Sequence, residues 1–318
     1  TGAILAFVCL PDFDPAKFST TSAYALRNRA LTDPFEPGSI FKPIVAAIAL
    51  DSDVINYDEV IFCENGTYRG KGFGRIGEFA DHKFAHLSIR QIISHSSNIG
   101  MAKIGQRMGK EKLHKGLELF GFGRKTGIDL SGENTGLLWP TANWTGYSVT
   151  RIPFGHEITV TAMQIAQAYS VLANGGCLVK PHVVRAIVDS TGRITELKQP
   201  PSLTGHIIKP DVANWIVRSA LVDVVEKGTG KKAALEKWQV FGKTGTANIA
   251  RADIKGYDET HYIASFAGGA PADHPAVVIL VSIRKPDKSL GKGYSGGTVA
   301  APVFREILEK TLTYLQQK

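Results

Sequence analysis

Residues 27–51 read RNRALTDPFEPGSIFKPIVAAIALD, and within them Ser39 and Lys42 stand three apart, between a Pro37-Gly38 turn and the apolar run 44–50. Residues at i and i+3 of a helix share a face, so this Ser-x-x-Lys sets a hydroxyl beside an amine. Pro43 lacks an N–H and is tolerated in a first turn, which predicts a helix start close to Ser39. A serine at that start meets unsatisfied backbone N–H groups and the positive end of the macrodipole, which favour developing negative charge. An ordinary lysine is protonated at neutral pH, so Lys42 becomes a base only if burial or a second cation lowers its pKa. The four-residue pattern is common by chance, and its meaning depends on partners elsewhere in the chain.

Two other stretches supply them. Residues 241–247, FGKTGTA, read as a strand that lines a cleft with the Lys243 ammonium, the Thr244 and Thr246 hydroxyls and a bare backbone at Gly245 open to close approach. Ser96 and Asn98, in SHSSNIG, offer a hydroxyl and an amide at a helix start; taken alone they read as caps. Lys125-Thr126-Gly127 repeats the tripeptide without a strand around it and is set aside.

The apolar periodicity gives the order of elements. Residues 1–11 read as a strand, 12–26 as an irregular connection, and 51–81 as a glycine-rich excursion with room for a small hairpin. Helices are expected over 89–109, broken near Ser94 to Asn98, then over 110–120, 159–174 and 210–227. A hairpin is expected over 180–196, strands over 240–247, 261–269 and 276–284, and a last helix over 299–315. This order is not alternating βαβ. It predicts an α/β chain of the α+β type, an antiparallel sheet made by the N-terminal and C-terminal strands with a helical insertion between them.

Composition narrows the function classes. The chain has 318 residues, 43% hydrophobic and 21% charged, enough for a sizeable core, and no apolar run is long enough to span a bilayer. It opens in strand-like TGAILAFV without an initiating Met, which reads as part of a longer protein whose targeting segment lies outside it. The net charge of +8 comes with no long basic run and no basic-aromatic repeat, so nucleic acid is not an expected partner. Cys9, Cys63 and Cys177 are far apart and odd in number, implying neither a disulfide framework nor a metal site. Gly72-x-Gly74-x-x-Gly77 matches a dinucleotide fingerprint but lacks the preceding strand. Gly293 to Gly297 matches a nucleophile elbow, yet no His follows Ser295. His156-Glu157 has no second His at the zinc spacing.

Ser-x-x-Lys, then Ser-x-Asn, then Lys-Thr-Gly on a late strand is, with Asp for the middle Ser97, the set found in class A β-lactamases and penicillin-binding proteins. With EPGSIFKP, SSNIGMAKIG, FGFGRKTGIDLSGE, VTAMQIAQAYSVLANGG, GKTGTA and YSGGTVAAPVF, the chain resembles the transpeptidase domain of class B penicillin-binding proteins over nearly its whole length. The lead-in RNRALTDPFEPGS is most similar to division-type (septal, FtsI-like) and sporulation members. Ile40, HKFAHLS and SFAGGAP depart from the usual wording.

The resemblance implies one transpeptidase domain over 1–318 with the penicillin-binding protein/β-lactamase-like fold. A sheet subdomain would take about 1–30 and 205–318, and a mainly helical subdomain about 31–204. It implies peptidoglycan D,D-transpeptidation, with Ser39 as nucleophile, Lys42 as base kept neutral by Lys243 and desolvation, and Ser96 as proton relay. Asn98, Thr244, Gly245 and Thr246 would bind substrate, and the N–H groups of Ser39 and Thr246 would form the oxyanion hole. Stem peptides and β-lactams are the implied ligands, with no metal or organic cofactor. The implied location is the extracytoplasmic face of the bacterial inner membrane, with an N-terminal anchor and division or elongation proteins as partners. The same fold also serves serine β-lactamases and D,D-carboxypeptidases, and a β-lactam sensor or division scaffold is the non-catalytic alternative. The absence of an identifiable deacylating glutamate favours the transpeptidase.

Overall fold

The computed structural model describes residues 1–197, 204–250 and 256–317. The apolar run after Ser39 becomes helix α1 (Lys42–Asp51), with Pro43 in its first turn and every residue from Lys42 to Leu50 buried. A helix apolar all round can only be stable inside a core. Each fully buried Ile, Leu or Val contributes about 1.5–3 kcal/mol. A hairpin follows, β1 (Thr67–Gly70) paired antiparallel with β2 (Gly74–Gly77). Then come α2 (Ile89–Ser94), capped by a Ser88/Gln91 capping box, and α3 (Asn98–Leu119). The break expected near Ser94 to Asn98 separates α2 from α3, whereas the helix boundary expected at residues 109–110 is only a kink within α3 at Gly109, where φ is +72°. Helix α4 (Ala162–Ala173) starts at a Thr161/Gln164 capping box. Helix α5 spans 210–226, its middle third Ile216–Leu221 widened to π geometry.

Strands β3 (Phe241–Ala250), β4 (Tyr257–Ala270) and β5 (Val277–Arg284) form an antiparallel sheet in the order β5-β4-β3. Helix α6 (Ala301–Gln316) covers one face of the sheet, and α4 and α5 lie against the other. Alternation along β5 shows the two layers: Val277, Ile279, Val281 and Ile283 pack toward Phe304 and Leu308 of α6, whereas Val278 and Leu280 join the main core with α1. Packing on both faces explains why β5, VVILVSIR, is apolar at every position but Ser282 and Arg284.

The strand expected over residues 1–11 does not join this sheet. Only Ala3 forms a bridge, parallel to His182, with the Ile4 N–H donating to His182 O at 2.9 Å. Ile4 and Phe7 turn inward against Leu31, Ile128 and Met163, while Leu5 and Val8 face solvent. The apolar run specified a part-buried extended segment but not its partner, and it found a small cluster beside the helices. The expected hairpin over 180–196 is present as Ala186–Val188 paired with Ile194–Leu197.

The Gly38–Phe41 turn that carries Ser39 is locked from behind by Gly155. Gly38, at φ +57°, donates its N–H to Gly155 O at 3.1 Å. A Cβ on Gly155 would stand 2.2 Å from Gly38 O and 2.5 Å from Gly38 N, at φ +85°. Gly155→Ala is therefore expected to cost about 2 kcal/mol or more, whereas Gly77→Ala, whose Cβ would meet nothing within 4 Å, should be tolerated. Thermal unfolding of the two variants checks this; equal melting temperatures would contradict the back-to-back packing.

Candidate active site

Ser39 lies in a 3-10 turn, Gly38–Phe41, that runs into α1, and the Lys42 backbone N–H donates to Ser39 O. Residues i and i+3 eclipse in such a turn, so the two side chains leave it on one side. Tyr169 of α4, fully buried, ties the turn down by donating its hydroxyl to Ile40 O at 2.8 Å.

Lys42 is wholly buried, and its Nζ donates to Ser96 O at 2.5 Å, Ser96 Oγ at 3.1 Å and Asn98 Oδ1 at 2.8 Å. All three acceptors belong to the turn between α2 and α3. Lys243, on β3 and equally buried, donates to the same Ser96 Oγ at 3.0 Å and to Thr244 O at 3.1 Å. One hydroxyl thus accepts from two amines, which leaves its own hydrogen to donate elsewhere. Ser39 Oγ, part-exposed beside this group, makes no hydrogen bond among the described residues. Ser96 itself sits at φ +62°, a left-handed conformation that costs a non-glycine residue about 1–3 kcal/mol and that its two lysine contacts help to hold.

Burial lowers the pKa of Lys42. Loss of solvation pulls its pKa down to about 7, against the pull of the nearby Glu78 carboxylate, which favours the ammonium. Lys243 is held well below the usual lysine range, first by burial and then by the charge of Lys42. The sequence assigned the neutrality of Lys42 to Lys243 and desolvation together. Desolvation is the largest cause for both amines, and the charge of one beside the other acts in the same direction.

The third motif meets the first along the edge of the sheet. Strand β3 is an outer strand, and its free side abuts the Gly38–Phe41 turn. The backbone N–H groups assigned to an oxyanion hole, those of Ser39 and Thr246, belong to these two abutting segments. Thr244 Oγ1 is 2.5 Å from Thr229 Oγ1, and Thr246 Oγ1 accepts the Gly296 N–H at 3.1 Å. Gly245 was expected to leave room for a ligand. Its missing Cβ instead seats the strand, since a Cβ would meet Ile40 Cγ2 at 3.0 Å and Pro37 O at 3.3 Å.

Several contributors were not visible in the sequence. Glu78, directly after β2, is buried among the residues around Ser97 and Asn98, and no local pattern marked it. Thr229 sits in a turn with no motif, and Gly296 lies in YSGGT, where no contact with Thr246 was indicated. Tyr169 was legible only as an aromatic in an otherwise aliphatic helical stripe. The motifs set aside have structural uses: Glu133 caps Thr126 and Gly127, Gly72 and Gly74 turn the β1–β2 hairpin, and Ser295 caps residues 296–300. Among the described residues no group of three or more His, Cys, Asp and Glu side chains is arranged to hold a metal, and no helix is long and apolar enough to cross a membrane.

A part-exposed serine one helical turn from a buried lysine, a second buried lysine on a sheet edge and an amide near both fit a serine acyl-transfer centre. The chain belongs to the penicillin binding protein transpeptidase domain family, whose model matches residues 1–309. It is 37% identical to Stage V sporulation protein D of Bacillus subtilis, covering 100% of this chain but 48% of that protein, so it spans about half the length of this relative. Penicillin-binding protein 3 of Mycobacterium tuberculosis in complex with aztreonam superposes with a TM-score of 0.84 at 29% identity, covering 96% of this chain and 67% of that one. The transpeptidase domain of penicillin-binding protein 3 from Burkholderia pseudomallei gives 0.80 at 33% identity, covering 91% of this chain and 82% of that one.

A Lys42 pKa of about 7 has a direct readout. In lysine labelled with ¹³C at Cε, one resonance absent from Lys42→Met is expected to titrate near pH 7, while exposed lysines titrate near 10.4. A Lys42 midpoint above pH 10 would contradict the desolvated environment.

Proposed function

We propose that this chain is a serine-type peptidoglycan D,D-transpeptidase domain that crosslinks stem peptides through an acyl-enzyme and is acylated by β-lactams. The observation that carries the reading is the relay of Lys42 and Lys243 onto one Ser96 hydroxyl beside an otherwise unengaged Ser39.

Ser39 Oγ attacks the carbonyl carbon of the penultimate D-Ala, and its proton passes to neutral Lys42. Desolvation gives that amine a pKa close to the working pH, the condition for an efficient general base. Negative charge gathers on the carbonyl oxygen, facing the N–H groups of Ser39 and Thr246; loss of one such donor typically costs ~10²–10³ in rate. As the C–N bond breaks, Ser96 hands a proton to the departing D-Ala amine and is resupplied from the lysines on either side. The acyl group stays on Ser39 until an amine of a neighbouring stem attacks it. Asn98 is fixed for substrate binding, because its Oδ1 faces Lys42 and its Nδ2 donates one hydrogen to Gly77 O, leaving the other for a peptide carbonyl. Thr244, Gly245 and Thr246 present the sheet edge to the substrate carboxylate. No step calls for a metal or organic cofactor.

Residues 1–318 act as one transpeptidase domain, the strands and helices after residue 205 forming the sheet side of the cleft and residues 31–204 the helical side. The domain works on the extracytoplasmic face of the bacterial inner membrane, where its substrate lies. Anchoring and contacts with division, sporulation or elongation proteins fall to parts of the relatives' length that this chain does not span.

Intact-protein mass after incubation with benzylpenicillin tests the reading. A persistent adduct of one penicillin is expected, absent in Ser39→Ala. An adduct that disappears while penicillin is consumed would make the protein a β-lactamase, and no adduct would refute the acyl-enzyme. The acylation rate should rise with pH through about 7 as Lys42 loses its proton and should fall by orders of magnitude in Lys42→Ala; near-normal acylation of that variant would move the base elsewhere.

A further inference from the structure

The turn that carries Ser96 and Asn98 has to present three acceptors to one buried amine, and something must hold it there. Its own helix does not, because the first N–H groups of α3 have no intrahelical partners. The groups come instead from the end of the β1–β2 hairpin. Glu78 accepts from Ser97 Oγ at 2.6 Å and from the Ile99 N–H at 3.4 Å through Oε1, and from the Asn98 N–H at 2.6 Å through Oε2. The neighbouring Gly77 O accepts from Asn98 Nδ2 at 3.0 Å. Ser97 Oγ in turn caps the Gly100 N–H at 3.0 Å. The carboxylate is buried, and it is the anion named among the influences on Lys42.

We propose that Glu78 is a positioning residue of the acylation centre: its carboxylate clamps Ser97, Asn98 and Ile99 so that Ser96 and Asn98 meet Lys42. The inference rests on the acyl-transfer reading for its kinetic consequence only. The clamp is charged for a reason beyond geometry. An ionised carboxylate accepts several N–H and O–H bonds at once, and such charge-assisted bonds are about twice as strong as neutral ones. Its negative charge also moderates the fall in the Lys42 pKa, so that the amine stays basic enough to take a proton from a serine.

The other groups around this carboxylate do not duplicate the effect. Lys42 on α1 and Lys243 on β3 are the amines on the far side of the turn. Cys63 Sγ lies 3.6 Å from Ser97 Oγ, and burial raises its thiol pKa, keeping it neutral. Glu64 beyond it is paired with Lys103 at 2.5 Å.

The test compares wild type with Glu78→Gln and Glu78→Asp by two readouts. In Glu78→Gln, the Lys42 ¹³Cε titration midpoint is expected to move to lower pH by about half a unit or more, because the anion that favours the ammonium has gone. The pH profile of penicillin acylation should shift in the same direction, with a plateau rate lower by roughly ten- to a hundredfold as Asn98 drifts. Glu78→Asp, which keeps the charge, should restore the midpoint at least in part. Glu78→Gln that melts earlier but titrates and acylates with wild-type midpoints would reduce Glu78 to a structural cap and overturn the proposal. If wild type fails to acylate at all, the transpeptidase reading fails, while the Lys42 titration in the two variants still decides the role of Glu78. Should Glu78→Gln not fold, Glu78→Asp decides: an unchanged midpoint with a lowered plateau supports the clamp, and an unchanged plateau overturns it.

Discussion

Two lysine side chains lie with no exposed surface in the core and share one serine hydroxyl. Taking an ammonium out of water is so costly that such a group either finds compensation or gives up its proton. Much of the surrounding architecture answers that requirement. Helix α1 is buried so that Lys42 is dry, the strained turn at Ser96 brings three oxygens to its amine, and the edge of the sheet delivers Lys243 from the opposite side. The same desolvation that would make these residues a liability in an ordinary core brings the pKa of Lys42 down to about 7. Stability and reactivity are drawn from a single physical cause.

The two sides of the cleft are fitted by small groups at close range. Gly245 lets β3 lie against Ile40 and Pro37, Gly296 in turn lies so close to Gly245 that a Cβ would stand 2.4 Å from its oxygen, and Gly155 backs Gly38. Ile40, next to Ser39, is fully buried as the packing surface for the strand. Side chains of ordinary size at the three glycines would separate the segments that carry Ser39, Lys243 and Thr246.

The elements with strong periodicity were legible: α1, α4 and the three C-terminal strands follow from apolar spacing, caps and glycine stops. So was the meeting of Lys42, Ser96, Asn98 and Lys243, because each motif sits where a turn or strand delivers it. The N-terminal segment misled, since the short apolar run in TGAILAFV indicates an extended, part-buried stretch but says nothing of whether sheet or helix receives it. Glu78 escaped for a related reason. Its function arises from a contact with Ser97 and Asn98 across the chain, and a lone carboxylate after a hairpin carries no local sign of such a contact. Gly245 was assigned the right kind of property, closeness of approach, but the neighbour it admits is the protein itself.

The order in which the parts of the site leave the ribosome sets how it can be assembled. Lys42 and Ser96 are 54 positions apart, but Lys243 joins Ser96 only across a separation of 147. Contacts of such range require closing a long loop and form late in folding. The helical layer therefore emerges first, with Ser96 holding only one of its lysines and with the apolar surface later covered by Phe241, Val278 and Leu280 still open. The nascent chain cannot hold its reactive geometry until the last third is synthesised, and over that interval its main hazard is self-association through an uncovered face.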